Sequence, residues 1–102
     1  MLVTMQKEHY TNGNQEISNY TYIARWKHYN EGKQRICECK VFLKGMKSCD
    51  SKGYAFCSLK DNYVKNTGRK ISLSKALKKY GFPKNERKLF WDEYNKEIGL
   101  DK

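Results

Sequence analysis

A change of rhythm near residue 60 is what most narrows the fold of this 102-residue chain. Residues 20–29, YTYIARWKHY, alternate in steps of two. In an extended strand Tyr20, Tyr22, Ala24, Trp26 and His28 fall on one face, and Thr21, Ile23, Arg25, Lys27 and Tyr29 on the other. After Asp61 the apolar residues recur at steps of three and four instead. Leu73, Ala76, Leu77 and Tyr80 mark one helical face; Phe90, Tyr94 and Ile98 mark another, with Leu89 and Trp91 beside them. Strands followed by helices mean an α+β domain, because the helices must bury their stripes against the sheet. The expectation is an antiparallel meander of three to four strands followed by two to three helices packed on one face. Residues 1–102 form a single domain, a size one modest core can support.

Turn residues divide the chain further. Residues 2–10 read as a first strand, ended by Asn12-Gly13, a strong tight-turn pair. The polar run 13–19 reads as a lead-in to the strand at 20–29. Asn30–Lys33 is the next turn, 34–43 the returning strand, Gly45–Gly53 a loop, and 53–59 a last strand. A short helix or turn at about 60–67 is expected to end at Gly68, with Ser72 or Ser74 capping a second helix that stops at Gly81. Pro83 opens a last helix over about 83–98, ended by Gly99.

Four cysteines, Cys37, Cys39, Cys49 and Cys57, are too irregularly spaced for zinc, whose paired ligands usually sit two to four residues apart on a tight turn. Cys37 and Cys39 instead share a strand face with Arg35, Val41 and Leu43, as small buried hydrophobes do. Cys49 lies in a polar turn and is the one expected to be exposed. No metal and no cofactor is expected. The amino-terminal residues show no secretory signal, and no run approaches the roughly 20 apolar residues that span a bilayer. The expected setting is cytoplasmic, with reduced thiols and no membrane partner.

Charge points to the kind of partner. The chain carries 21 Lys and Arg against 11 Asp and Glu, a net charge of +10. Over residues 60–79, Lys60, Lys65, Arg69, Lys70, Lys75, Lys78 and Lys79 face Asp61 alone. Such a surface attracts polyanions. Arg69 and Lys70, just after Gly68, are expected to precede a helix whose free N–H groups can hold an anion. Catalytic motifs are absent. His9 and His28 stand outside any HExxH, and there is no GxSxG. A pairing of His28 with Cys37 or Cys39 across a hairpin is the sharpest catalytic alternative; the expectation is a binding protein, not an enzyme.

The stretch GYAFCSLKDNYVKNTGRKISLSKAL, through Ala55, Cys57, Asp61, Tyr63, Gly68, Arg69, Ala76 and Leu77, resembles a recurring pattern in small, mostly uncharacterised bacteriophage and prophage proteins. The trailing aromatic-rich helix NERKLFWDEYNKE is similar too. The resemblance implies a phage accessory protein acting in a bacterial host cell, and it brings no reaction with it. It also makes Asp61 and Arg69 candidate partners pinning the strand-to-helix connection. Two functions follow. One is a phage-encoded modulator that binds and inhibits a host or defence protein, such as a nucleic-acid-guided nuclease, with or without its nucleic acid. The other is direct binding of DNA or RNA through phosphate contacts. Either would use Arg69, Lys70, Lys75, Lys78 and Lys79, with Tyr63 and Tyr80 as adjoining aromatics. Tyr20, Tyr22 and Trp26 form a stacking platform on this second reading, or core facing the helices. Nothing in the sequence sets an oligomeric state.

Overall fold

The computed structural model describes residues 1–46, 50–58 and 64–98, and only the backbone of His9 and Ile98. Expectations for Cys49, Asp61, Tyr63 and Gly99 lie outside the described residues. The chain is α+β. Strands β1 (Leu2–Thr11), β2 (Asn14–Glu31), β3 (Gln34–Leu43) and β4 (Ser51–Ser58) form an antiparallel meander in sequence order. Helices α1 (Lys65–Tyr80) and α2 (Lys84–Ile98) follow.

The first two of the three hairpin connections are two residues long. Asn12 and Gly13 take φ 52° and 81° between the paired Thr11 and Asn14, as the mirror-image hairpin turn requires. The strand after it is far longer than its alternation predicts. β2 begins at Asn14, so the polar run read as a lead-in is strand. The reason is stagger: residues 14–23 of β2 pair with β1, and residues 22–31 pair with β3. The amino-terminal half of β2 is half of a two-stranded arm. Its solvent-facing positions need no apolar residues, so the hydrophobic pattern there is thin.

Residues expected on one face of β2 do line the core. Tyr22 and Ala24 are buried with Val3, Met5, Cys39 and Val41 beneath Leu73, Ala76, Leu77, Phe90 and Tyr94 of the helices. Trp26 is half-buried; its indole N–H donates to the Arg69 carbonyl at 3.1 Å, and its ring meets Tyr94 edge-on at 5.8 Å. Tyr22 and Trp26 therefore serve as core, with Tyr20 packed against it.

The expected break at Gly68 does not occur. α1 runs unbroken from Lys65, with Gly68 buried in its second turn. Ser72 caps nothing; it is a buried interior residue whose hydroxyl donates back to the Gly68 carbonyl at 2.8 Å. Burial wins over local propensity here: Gly68 and Ser72 are both among the buried residues of α1. α1 stops as expected at Gly81, which takes φ 97° and donates its N–H to Leu77. Pro83 sits one residue earlier than expected, its carbonyl receiving the N–H groups of Glu86 and Arg87 at the start of α2.

α1 lies unusually close to the sheet at Gly53. A Cβ built on Gly53 would stand 2.1 Å from the Ser72 carbonyl oxygen and 2.5 Å from the Ala76 nitrogen. One strand position away but one, the Ser51 hydroxyl donates to the Ala76 carbonyl at 2.7 Å, which fixes the same approach.

At the other end of α1, Tyr80 stacks on Phe82 at 4.0 Å and exchanges a hydrogen bond with the Tyr22 hydroxyl at 3.2 Å. Burial, then the bond to Tyr22, push its phenol up to about 12 from an ordinary 10. A pKa raised in the folded state means Tyr80 contributes fully below pH 10, and that contribution is lost as pH rises from 10 through about 12. In urea melts at stepped alkaline pH, Tyr80→Phe should flatten the loss of stability over that window. Equal slopes in both proteins would contradict it.

Candidate functional site

The five basic residues expected to act together are dispersed by the helix itself. Arg69 lies in the second turn of α1, not before it, and turns toward the sheet. It lines a cleft with Trp26, His28, Tyr94 and Glu97. Lys70 and Lys79 are nine residues apart, and at about 100° per residue they point to opposite sides of the helix. Lys70, Lys78 and Lys79 are exposed, and among the described residues none of them forms a salt bridge. Tyr80 belongs to the ring cluster above rather than to an aromatic surface beside the lysines. Only Lys75 reaches elsewhere: its ammonium donates to the Tyr54 carbonyl at 2.8 Å and stands 6.0 Å from the centre of the Phe56 ring. It wraps the outer edge of β4, an edge strand, and satisfies one of its open carbonyls.

Phe56 leads to the other side of the sheet. Both helices pack on the face carrying Tyr22, Ala24, Cys39 and Val41, and among the described residues no helix covers the opposite face. Strand register arranges that bare face in rows. Arg25 lies directly opposite Lys40, and Lys40 directly opposite Lys52. Cβ atoms in such positions are about 5 Å apart, and like charges placed so repel. Arg25 and Lys52 are exposed, Lys40 is half-buried, and among the described residues none of the three is in a salt bridge. The next row is Lys27, Glu38 and Tyr54; the one beyond is Tyr29, Ile36 and Phe56. On the other side of the basic row lie Leu2, Ile23 and Phe42. Glu38, only 8% exposed, is the carboxylate set among these cations.

Aromatic rings and cations alternate across this surface. The Arg25 guanidinium stands 5.6 Å from the Phe42 ring centre, and the Lys27 ammonium 5.6 Å from that of Tyr29. Tyr54 and Phe56 lie nearly parallel, 22° apart with centroids at 6.2 Å, and Phe56 is 56% exposed. Flat apolar rings beside cations that form no salt bridge among the described residues can stack on planar groups and hold the anions that link them. The alternation of Thr21, Ile23, Arg25, Lys27 and Tyr29 was visible in the sequence. What was missing was the register that sets Arg25 against Lys40 and Lys52.

The cysteine–histidine pairing does form. His28 lies opposite Cys37, with Sγ 4.0 Å from Nε2 and 3.5 Å from the Ser72 hydroxyl. Cys37 is 0% exposed, and burial pushes its thiol up, against smaller lowering effects of Ser72 and Arg69. A nucleophilic thiol needs the reverse, a lowered pKa and access. The arrangement stabilises a neutral, packed side chain. Cys39 is buried as well and Cys57 half-buried; among the described residues no group of three or more His, Cys, Asp or Glu could hold a metal ion. Among them, too, no helix is long and apolar enough to cross a membrane.

No protein-family model, no curated protein and no solved structure matches this chain.

Proposed function

We propose that this chain is a non-enzymatic binding protein that holds single-stranded nucleic acid on the bare face of its sheet. The observation that carries this reading is the row Arg25, Lys40 and Lys52, three cations in direct register on three neighbouring strands. Such a row costs stability in the free protein unless an anion offsets it. Phosphates offset it, and the rings of Phe42, Tyr54 and Phe56 on either side supply π-faces for unstacked bases. A duplex hides those faces, so the aromatic contribution selects single strands.

Fluorescence anisotropy with a labelled oligothymidine and a matched duplex tests the reading. Phe56→Ala should weaken single-strand binding by about tenfold, the size of one lost base–aromatic contact, and leave duplex binding nearly unchanged. Phe56 is exposed, so the fold should tolerate the change. No binding of either probe at low salt would end the proposal.

The exposed Lys70, Lys78 and Lys79 of α1, which among the described residues form no salt bridge, support a second reading. They would dock an acidic surface of a host or defence protein, the role a phage accessory protein would play. A partner retained after nuclease treatment and lost from a Lys70→Glu, Lys78→Glu, Lys79→Glu triple variant would favour it; retention by that variant would remove it.

A further inference from the structure

Where β2 ends and β3 begins, beneath the start of α1, basic side chains from β3 and α1 converge on His28. One cleft of about 300 Å³ is lined by Trp26, His28, Arg69, Tyr94 and Glu97. A second, of about 250 Å³, is lined by His28, Tyr29, Asn30, Arg35, Ile36 and Lys65. His28 belongs to both. The second cleft includes Tyr29 and Ile36, which register places on the bare face, and His28 and Arg35, which it places on the helix face. It therefore leads from the bare face around the end of the hairpin to His28.

Arg69 is held in position from behind. Its carbonyl receives the Trp26 indole N–H and, at 3.2 Å, the Ser72 hydroxyl. Its side chain is half-buried, and among the described residues it forms no salt bridge. Resting on the nucleic-acid reading above, we propose that His28, Lys65 and Arg69 form a pocket for a phosphate monoester, the terminal phosphate of a strand lying on the bare face. A guanidinium offers a planar fork of N–H donors that fits phosphate oxygens, and an imidazolium and an ammonium add charge. An internal phosphodiester carries a single charge; a terminal monoester carries nearly two near neutral pH and gains more from three cations.

Among the described residues, the charged and titratable groups around His28 are Tyr29 on its own strand, Arg35 and Cys37 from β3, Lys65 and Arg69 from α1, and Tyr94 and Glu97 from α2. Burial, then Arg69, then Lys65 hold His28 below its ordinary 6.5. A bound phosphate reverses the sign of the local field, so its arrival should raise the His28 value and draw in a proton.

The test uses the full chain and oligothymidines bearing a 5′-phosphate, a 3′-phosphate or neither, with inorganic phosphate as a separate probe. The expected result is about tenfold tighter binding of one phosphorylated strand than of the unphosphorylated one. Lys65→Gln, at an exposed position, and Arg69→Gln should both erase that difference. Inorganic phosphate should shift the His28 titration upward by NMR in the wild type and not in Arg69→Gln. Three strands that bind equally and with steep salt dependence would overturn the pocket and leave the bare-face interface standing. No binding of any strand would overturn the interface, and the His28 titration in inorganic phosphate would then decide the pocket: no shift overturns it, and a shift lost in both variants supports it.

Discussion

Gly53→Ala is expected to destabilise the fold by about 3 kcal/mol, near the upper end of what overpacking usually costs. The added methyl would meet backbone, not a side chain that can swing aside: the Ser72 carbonyl oxygen at 2.1 Å and the Ala76 nitrogen at 2.5 Å. Real Cβ atoms essentially never come nearer than 3.0 Å, so α1 must retreat by nearly an ångström. That retreat would stretch the Ser51 hydrogen bond to the Ala76 carbonyl and open the packing of Leu73, Ala76 and Leu77 on β3 and β4. For a domain of this size about 3 kcal/mol is a large part of the total, a drop of roughly 10–20 °C in Tm. Urea unfolding of Gly53→Ala beside the exposed neighbour Lys52→Ala measures it. A loss under about 0.5 kcal/mol, the ordinary surface range, would mean that α1 does not sit against β4 as described.

The second large effect carries opposite signs in two measurements. Replacing Arg25, Lys40 and Lys52 together by Gln removes a row of facing cations from the free protein. Stability should rise by several tenths to about 1 kcal/mol, the scale of cross-strand charge pairs at a largely exposed site. Binding of single-stranded nucleic acid should fall over the same change. Each lost phosphate contact removes about 0.7 from the slope of log affinity against log salt, so the triple variant should lose about 2. Low-salt affinity should fall by about a hundredfold or more. Most surface substitutions that impair binding leave stability alone or lower it. A gain in one and a loss in the other marks residues whose mutual repulsion is maintained for a ligand. Unchanged affinity would remove the row from the interface, whatever happened to stability.

Much of this fold was legible because the physical signals were local. The change of period near residue 60, the Asn12-Gly13 turn, the stop at Gly81 and the stripe of Phe90 and Tyr94 each lie within a few residues of what they determine. The core face of β2 was legible for the same reason. Gly68 was misread because a glycine ends helices by default, whereas here it is buried inside α1. The early half of β2 was missed because a two-stranded arm needs few buried residues.

The proposed binding face was hidden for a different reason. Basic residues adjacent in sequence drew attention to α1, where helical rotation spreads them apart. The row on the bare face comes from positions 25, 40 and 52, far apart in the chain. The tight turn at Gly32 and Lys33 fixes the first pairing. The loop between β3 and β4 carries no comparable signature for the second, so Lys52 could not be placed opposite Lys40 by pattern alone.

Lysine footprinting decides whether the bare face of the sheet is where nucleic acid lies. The chain is reductively methylated with and without a saturating single-stranded oligonucleotide, and each site is read by mass spectrometry. The account predicts protection of Lys27, Lys40, Lys52 and Lys75, with Lys70, Lys78 and Lys79 modified equally in both samples. Protection confined to Lys70, Lys78 and Lys79, with Lys40 and Lys52 unchanged, would overturn that reading and return the interface to α1.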